Sequence, residues 1–168
     1  EFIALLKARN GDMTYASGGN GTILHLASAM FLDEAGVTAR HIPYKGVGPA
    51  YTDLLGGRLQ FMLTDLASVR QHIDAGKLLA LAITDKSALL PNVPSFAEAG
   101  VPNYKAFTSF SVLVPAKVPP ALVKRIADEV ARAMRLPATA QRLEQQALLP
   151  VFDTPDQFAA SLKDEQQT

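Results

Sequence analysis

The chain has 168 residues, 48% of them hydrophobic, enough for a packed core and inconsistent with a disordered chain. Lys+Arg and Asp+Glu are equal at 16 each and scattered, so no basic face exists for nucleic acid or for an anionic membrane surface. There is no Cys, which removes disulfide frameworks and thiolate metal sites, and no apolar run approaches the roughly 20 residues of a membrane-spanning helix.

In chain order, Phe2, Ile3, Leu5 and Leu6 form a helical stripe ended by Asn10-Gly11, a common C-cap pair. Met13 to Ala16 reads as a short strand, residues 17–22 as a glycine-rich turn, and Ile23 to Ala35 as a helix ending at Gly36. Val37 to Pro43 is a predicted strand, residues 44–49 a second loop, and Ala50 to Leu55 a short helix closed by Gly56-Gly57. Leu59 to Leu63 is a predicted strand reaching Thr64-Asp65, and Leu66 to Ala75 a helix stopped at Gly76. The apolar run Leu78 to Ile83 predicts a strand covered on both faces.

Residues 85–102 are loop-rich, with Pro91, Pro94 and Pro102 as punctuation. Ser109 to Pro115 is a predicted strand, and Pro119-Pro120 opens a helix running from about Ala121 to Arg135. A helix from about Ala138 to Gln146, a short strand at Val151-Phe152 and a last helix from Pro155 complete the pattern. Strands alternating with helices at short spacing predict an α/β fold with a mixed or parallel sheet covered by helices. No signal peptide is visible, and residues 1–9 read as the middle of a helix, so the expectation is that an N-terminal part lies outside this chain.

The sharpest local feature is Ser17-Gly18-Gly19-Asn20-Gly21-Thr22 between a strand and a helix. A helix N-terminus presents unpaired N–H groups and partial positive charge, and glycines let a ligand approach the backbone. This makes a candidate carboxylate site, with Ser17, Asn20 and Thr22 adding side-chain donors. The plain alternative is a tight turn capped by Asn20 or Thr22. The loop is neither a Walker loop nor a dinucleotide fingerprint.

His25 lies one turn into the following helix, able to reach a bound anion or to bond locally. His41 and His72 have no spacing that suits a metal with His25, so no metal site and no cofactor are expected. Tyr44-Lys45-Gly46 and Thr64-Asp65 end the next two strands at the same sheet edge, where α/β folds place ligands. Tyr44, Lys45 and Asp65 therefore join the candidate ligand-binding set, with a solvated Lys45 and an Asp65 helix cap as the structural alternatives. An enzyme using the glycine loop as an anion hole, with His25 or Asp65 as base, is the competing reading, but no paired nucleophile is recognisable.

Tyr15 to Thr22 with His25-Leu26, Pro43-Tyr44-Lys45-Gly46 with Pro49-Ala50, and Asp53 to Gly57 follow one another in a specific order. Ala75 to Leu78 with Ala80-Leu81-Ala82, Leu90 to Gly100, and Val114-Pro115-Ala116 before Pro119 continue it. This ordered set resembles the Bug-type (TctC-like) solute receptors of tripartite tricarboxylate transporters over essentially the whole chain. The resemblance implies a periplasmic receptor of the type II binding-protein kind, not an enzyme, with two α/β lobes closing on a di- or tricarboxylate, an amino acid or an aromatic acid. It implies membrane transporter subunits as partners. It also implies that residues 1–107 form the second, ligand-gripping lobe, and that 108–168 are the C-terminal strand and helices of an otherwise missing first lobe. Helices whose apolar face is meant for that lobe would be exposed, so self-association through them is expected.

Overall fold

The protein is described by a computed structural model covering residues 1–106, 108–146 and 148–165. The chain divides into two compact units, Glu1–Ser109 and Phe110 onward. The boundary expected at residue 107 falls outside the described residues, as does the last helix beyond Glu165.

The first unit runs α1 (Phe2–Arg9), β1 (Thr14–Ser17), α2 (Ile23–Glu34), β2 (Arg40–Pro43), α3 (Val47–Leu55), β3 (Phe61–Met62) and α4 (Leu66–Asp74). Its three strands form a parallel sheet in the order β2-β1-β3. Helix α1 ends as its sequence dictates: Asn10 adopts the left-handed conformation and its N–H returns to the carbonyls of Leu6 and Lys7.

The register sets the core. Tyr15 pairs with His41 on one side and Phe61 on the other, so three rings cross one face of the sheet in a row. Phe61 and Tyr15 lie 5.5 Å apart and Tyr15 and His41 5.0 Å apart, both stacked. Leu6 of α1 and Phe31 and Leu32 of α2 pack on this face, with Val101 and Tyr104 completing the cluster. On the opposite face, Ala16 of β1 meets Ala50 of α3 and Leu59. Small residues there bring α3 close to the strand. The segment around Phe96 to Tyr104 lies against α2, and the Tyr104 hydroxyl donates to the Ala27 carbonyl at 3.1 Å. Burial pushes that hydroxyl up to about 12.

Three expected strands do not form. Residues 78–83 make a single parallel bridge, Ile83 with Ser95, and Leu79 stands 82% exposed. Residues 109–115 and Val151-Phe152 carry no ladder, and Phe110 is 82% exposed. The correction has a simple cause. A strand exists through its neighbour's N–H and C=O groups, and among the described residues no strand lies beside these segments. Apolar composition alone does not hold them extended in a sheet.

The second unit is helical: α5 (Pro120–Met134), α6 (Pro137–Gln145) and α7 (Pro155–Glu165). The two prolines expected to open α5 do so, Pro119 as N-cap and Pro120 as first residue. No residue of α5 or α6 is buried. Their surfaces are held by short local pairs such as Lys124–Asp128 at 2.7 Å, and the Arg135 guanidinium lies 4.1 Å over the Phe152 ring.

Core burial therefore belongs to the first unit. Leu6→Ala is expected to cost about 2–5 kcal/mol in urea unfolding, whereas Leu79→Ala changes stability by under about 0.5 kcal/mol. Amide hydrogen exchange should find α5 to α7 far less protected than β1 and β2. Equal protection in both units would refute this division.

Candidate functional site

In a parallel sheet, ligands settle outside the carboxyl ends of the strands, at the strand flanked by connections leading to opposite sides. Here that strand is β1, with β2 on one side and β3 on the other. Residues 17–22 leave its carboxyl end and enter α2, whose N-cap is Thr22. Residues 44–46 leave β2 beside them. The two loops are joined by backbone bonds, Tyr44 N–H to Ser17 O at 3.1 Å and Gly46 N–H to Gly18 O at 3.0 Å.

This joining explains the glycine at 19. Its φ is +140°, and a Cβ there would sit 3.3 Å from the Tyr44 carbonyl. The loop is also tied internally. The Thr22 hydroxyl donates to the Gly19 carbonyl at 2.8 Å, so Thr22 braces the turn and makes no side-chain cap bond.

Ser17 is fully buried and is the anchor of the loop. Its hydroxyl lies 2.7 Å from His41 Nε2, accepts from Gly19 N–H at 3.1 Å and reaches the Gly19 carbonyl at 3.0 Å. A hydroxyl has one proton and two lone pairs. All three bonds form together when Ser17 donates to the Gly19 carbonyl and accepts from Gly19 N–H and from a protonated His41 Nε2. His41 is then the neutral Nε2–H tautomer.

His41 stacks face to face on His25, with ring centroids 4.0 Å apart and planes 17° apart. The aromatic row thus continues off the sheet onto α2. Burial lowers the His41 pKa below the ordinary imidazole range, and the charge of His25 lowers it further. His25 bonds locally, its Nδ1 accepting the Gly21 N–H at 3.1 Å. Gly19 and Gly21 N–H groups are therefore held inside the loop. Among the described residues, the N–H groups of Asn20 and of Ile23, Leu24 and His25 in the first turn of α2 have no hydrogen-bond partner.

The remaining candidates divide. The Tyr44 hydroxyl donates to Asp53 Oδ2 at 2.7 Å, and Arg58 meets Asp53 Oδ1 at 2.7 Å. The Tyr44 and Arg58 bonds hold the Asp53 carboxyl below its usual range, and the same Asp53 bond raises the Tyr44 hydroxyl. Tyr44 thus braces its loop against α3. Asp65 caps α4, accepting from Ser68 N–H at 2.8 Å. Lys45 is exposed and makes no ion pair among the described residues.

The structure therefore gathers Ser17 to Thr22, His25 and Tyr44 in one place, and commits the Asp65 carboxylate to a cap. Sequence reasoning missed His41. The signal was available: β1 and β2 flank one helix, so His41 sits two residues before the end of the strand beside β1.

A parallel sheet with helices on both faces and a glycine-rich turn at the central strand's carboxyl end defines an α/β lobe of the periplasmic-binding-protein fold. The tripartite tricarboxylate transporter family receptor profile, TctC, matches residues 1–168, and the chain belongs to that family, one of solute-binding receptors. It is 36% identical over 167 residues to Protein BugT of Bordetella pertussis, covering 98% of this chain and 51% of that protein. A solved periplasmic transporter superposes with a TM-score of 0.86 at 33% identity, covering 97% of this chain and 55% of that one. An R. palustris protein solved with adipate gives a TM-score of 0.86 at 26% identity, covering 98% and 56%. The chain spans about half the length of the curated relatives it matches.

The lowered His41 pKa fixes a pH dependence. Near neutrality the unfolded chain takes a proton at this position more readily than the folded one, so stability falls with falling pH. The loss begins near the ordinary histidine pKa, about 6.5, and ends once pH is below the folded value. Melting temperature should therefore decline between about pH 7.5 and 5.5, and His41→Asn should flatten the decline. An unchanged slope in that variant would place the proton elsewhere.

Proposed function

We propose that this chain is part of a periplasmic receptor that captures a small carboxylate-bearing solute for the membrane subunits of a tripartite transporter. The observation that carries the reading is the run of uncommitted N–H groups, Asn20 and Ile23 to His25, at the carboxyl end of β1. Backbone donors at a helix N-terminus suit a carboxylate, and the helix dipole adds to them. The relative solved with adipate supports a dicarboxylate within the wider class of di- and tricarboxylates, amino acids and aromatic acids.

In this reading one solute carboxylate rests against Asn20 and the first turn of α2. Ser17, Gly18, Gly19, Gly21 and Thr22 shape the loop, and Lys45 draws the anion in through its exposed charge. Tyr44 and Asp65 line the approach from the neighbouring strand ends. Residues 1–107 are the gripping lobe, and 108–168 are a return segment whose apolar residues, such as Phe110 and Leu113, seek cover. Self-association through this second unit is the expected consequence in isolation.

The chemistry favours a receptor over a hydrolase. Ser17 and His41 sit at the distance of a nucleophile and its base. Yet Ser17 is wholly buried, and its hydroxyl is already bonded to both polar groups of Gly19 as well as to His41. These bonds support a bracing role for the pair over attack on a substrate.

Calorimetric titration against adipate, other di- and tricarboxylates, amino acids and aromatic acids tests the reading. Saturable binding of one class without turnover is expected, with a raised melting point. Thr22→Ala, which frees the Gly19 carbonyl, should weaken binding about five- to tenfold, the worth of roughly one hydrogen bond. Hydrolysis of a simple aryl ester, lost in Ser17→Ala, would instead establish the enzyme. Sedimentation should show association that Phe110→Ser reduces; a monomer at all concentrations would exclude it.

A further inference from the structure

The Gly21 N–H is aimed at His25, not at the open loop. It is bonded at the surface, where a solute can reach it. An imidazole nitrogen accepts a hydrogen bond only while unprotonated. Once Nδ1 carries a proton it becomes a donor, the Gly21 N–H is released, and a positive charge stands beside the loop.

We propose that His25 is a proton-operated latch on the solute loop: its neutral Nδ1 holds the Gly21 N–H in the free receptor, and a solute carboxylate takes that N–H over as His25 gains a proton. This rests on the reading of the loop as a carboxylate site. The exchange balances. One proton comes from solvent to Nδ1, the Gly21 N–H to Nδ1 bond is lost, and the carboxylate accepts from both Gly21 N–H and Nδ1–H. His25 is thus a positioning residue that turns an internally closed loop into a donor pair with charge.

The groups around the His25 ring are committed elsewhere or uncharged. On β2, His41 stacks on its ring and is disfavoured as a proton acceptor by burial. On β1, Tyr15 stacks on His41 and Ser17 occupies His41 Nε2. In the segment over α2, the Tyr104 hydroxyl is committed to the Ala27 carbonyl and Asn103 donates to Glu34. The acidic residues of α2 itself, Asp33 and Glu34, lie about 12 Å or more along the helix from His25. Lys45, in the loop after β2, is exposed. Among the described residues no carboxylate lies within ion-pair distance of either ring. The charge that answers an imidazolium is therefore the solute's.

The test is calorimetric titration of adipate into the chain between about pH 8 and pH 6.5, where ordinary carboxyls stay ionised, in two buffers of different ionisation enthalpy. Uptake of a fraction approaching one proton is expected, with affinity rising by up to about tenfold per pH unit. His25→Asn keeps an acceptor for the Gly21 N–H but takes no proton, so the affinity of the folded variant, checked by circular dichroism, should be flat with pH. Binding without uptake, or a full pH slope persisting in His25→Asn, overturns the latch. The free chain gives a second readout by NMR: the Gly21 amide proton should shift with the titration of the His25 ring. An amide indifferent to that titration also overturns it. Failure of adipate to bind at any pH, with the Gly21 amide still following His25, removes the dicarboxylate reading and with it the solute's part in the latch, and leaves only the proton-sensitive Gly21–His25 bond.

Discussion

The row of rings Phe61–Tyr15–His41–His25 is the interaction on which the rest depends. Three of its members are cross-strand partners, so the row exists only in the observed register. A slip of one residue would turn all three away from α1 and α2. At its inner end, Phe2 meets Phe61 edge-on at 5.2 Å and ties α1 to the sheet. At its outer end, His25 fixes the start of α2. The same contacts that build the core therefore set the position of the glycine loop.

From that row the loop's order follows by hydrogen bonds. His41 holds Ser17, Ser17 holds both polar groups of Gly19, and Thr22 shares the Gly19 carbonyl. His25 holds Gly21. No buried polar side-chain atom is left without a partner among the described residues. A loop with its polar groups closed on themselves is rigid before solute arrives, which lowers the ordering cost of binding a small polar molecule. In the free chain two glycine N–H groups hold the loop, and the N–H groups of the first turn of α2 stay open.

Much of this was legible in the sequence. The glycine-rich turn between a strand and a helix, the parallel α/β arrangement and the prolines opening α5 follow from local rules that the structure obeys. The ordered motifs pointed to the receptor family to which the chain belongs. What was not legible is non-local. Residues 78–83 look like a strand because they are an unbroken apolar run, and 109–115 because they carry Phe110, Val112 and Val114, yet a ladder needs a neighbour that composition does not reveal. His41 was set aside because its sequence distance from His25 fits no metal, whereas the register stacks the two rings. Asp65 offered both a ligand contact and a cap in the sequence, and the bond from Ser68 N–H establishes the cap.

The central claim is that a solute carboxylate docks on the loop entering α2. Amide chemical shifts recorded while adipate is added test it most directly. The account predicts that the amides of Asn20, Gly21, Ile23 and Leu24 move first and furthest, with the core amides of β1 still. Saturable binding that leaves these four amides unmoved, or that perturbs only the neighbourhood of Asp53 and Arg58, would contradict it.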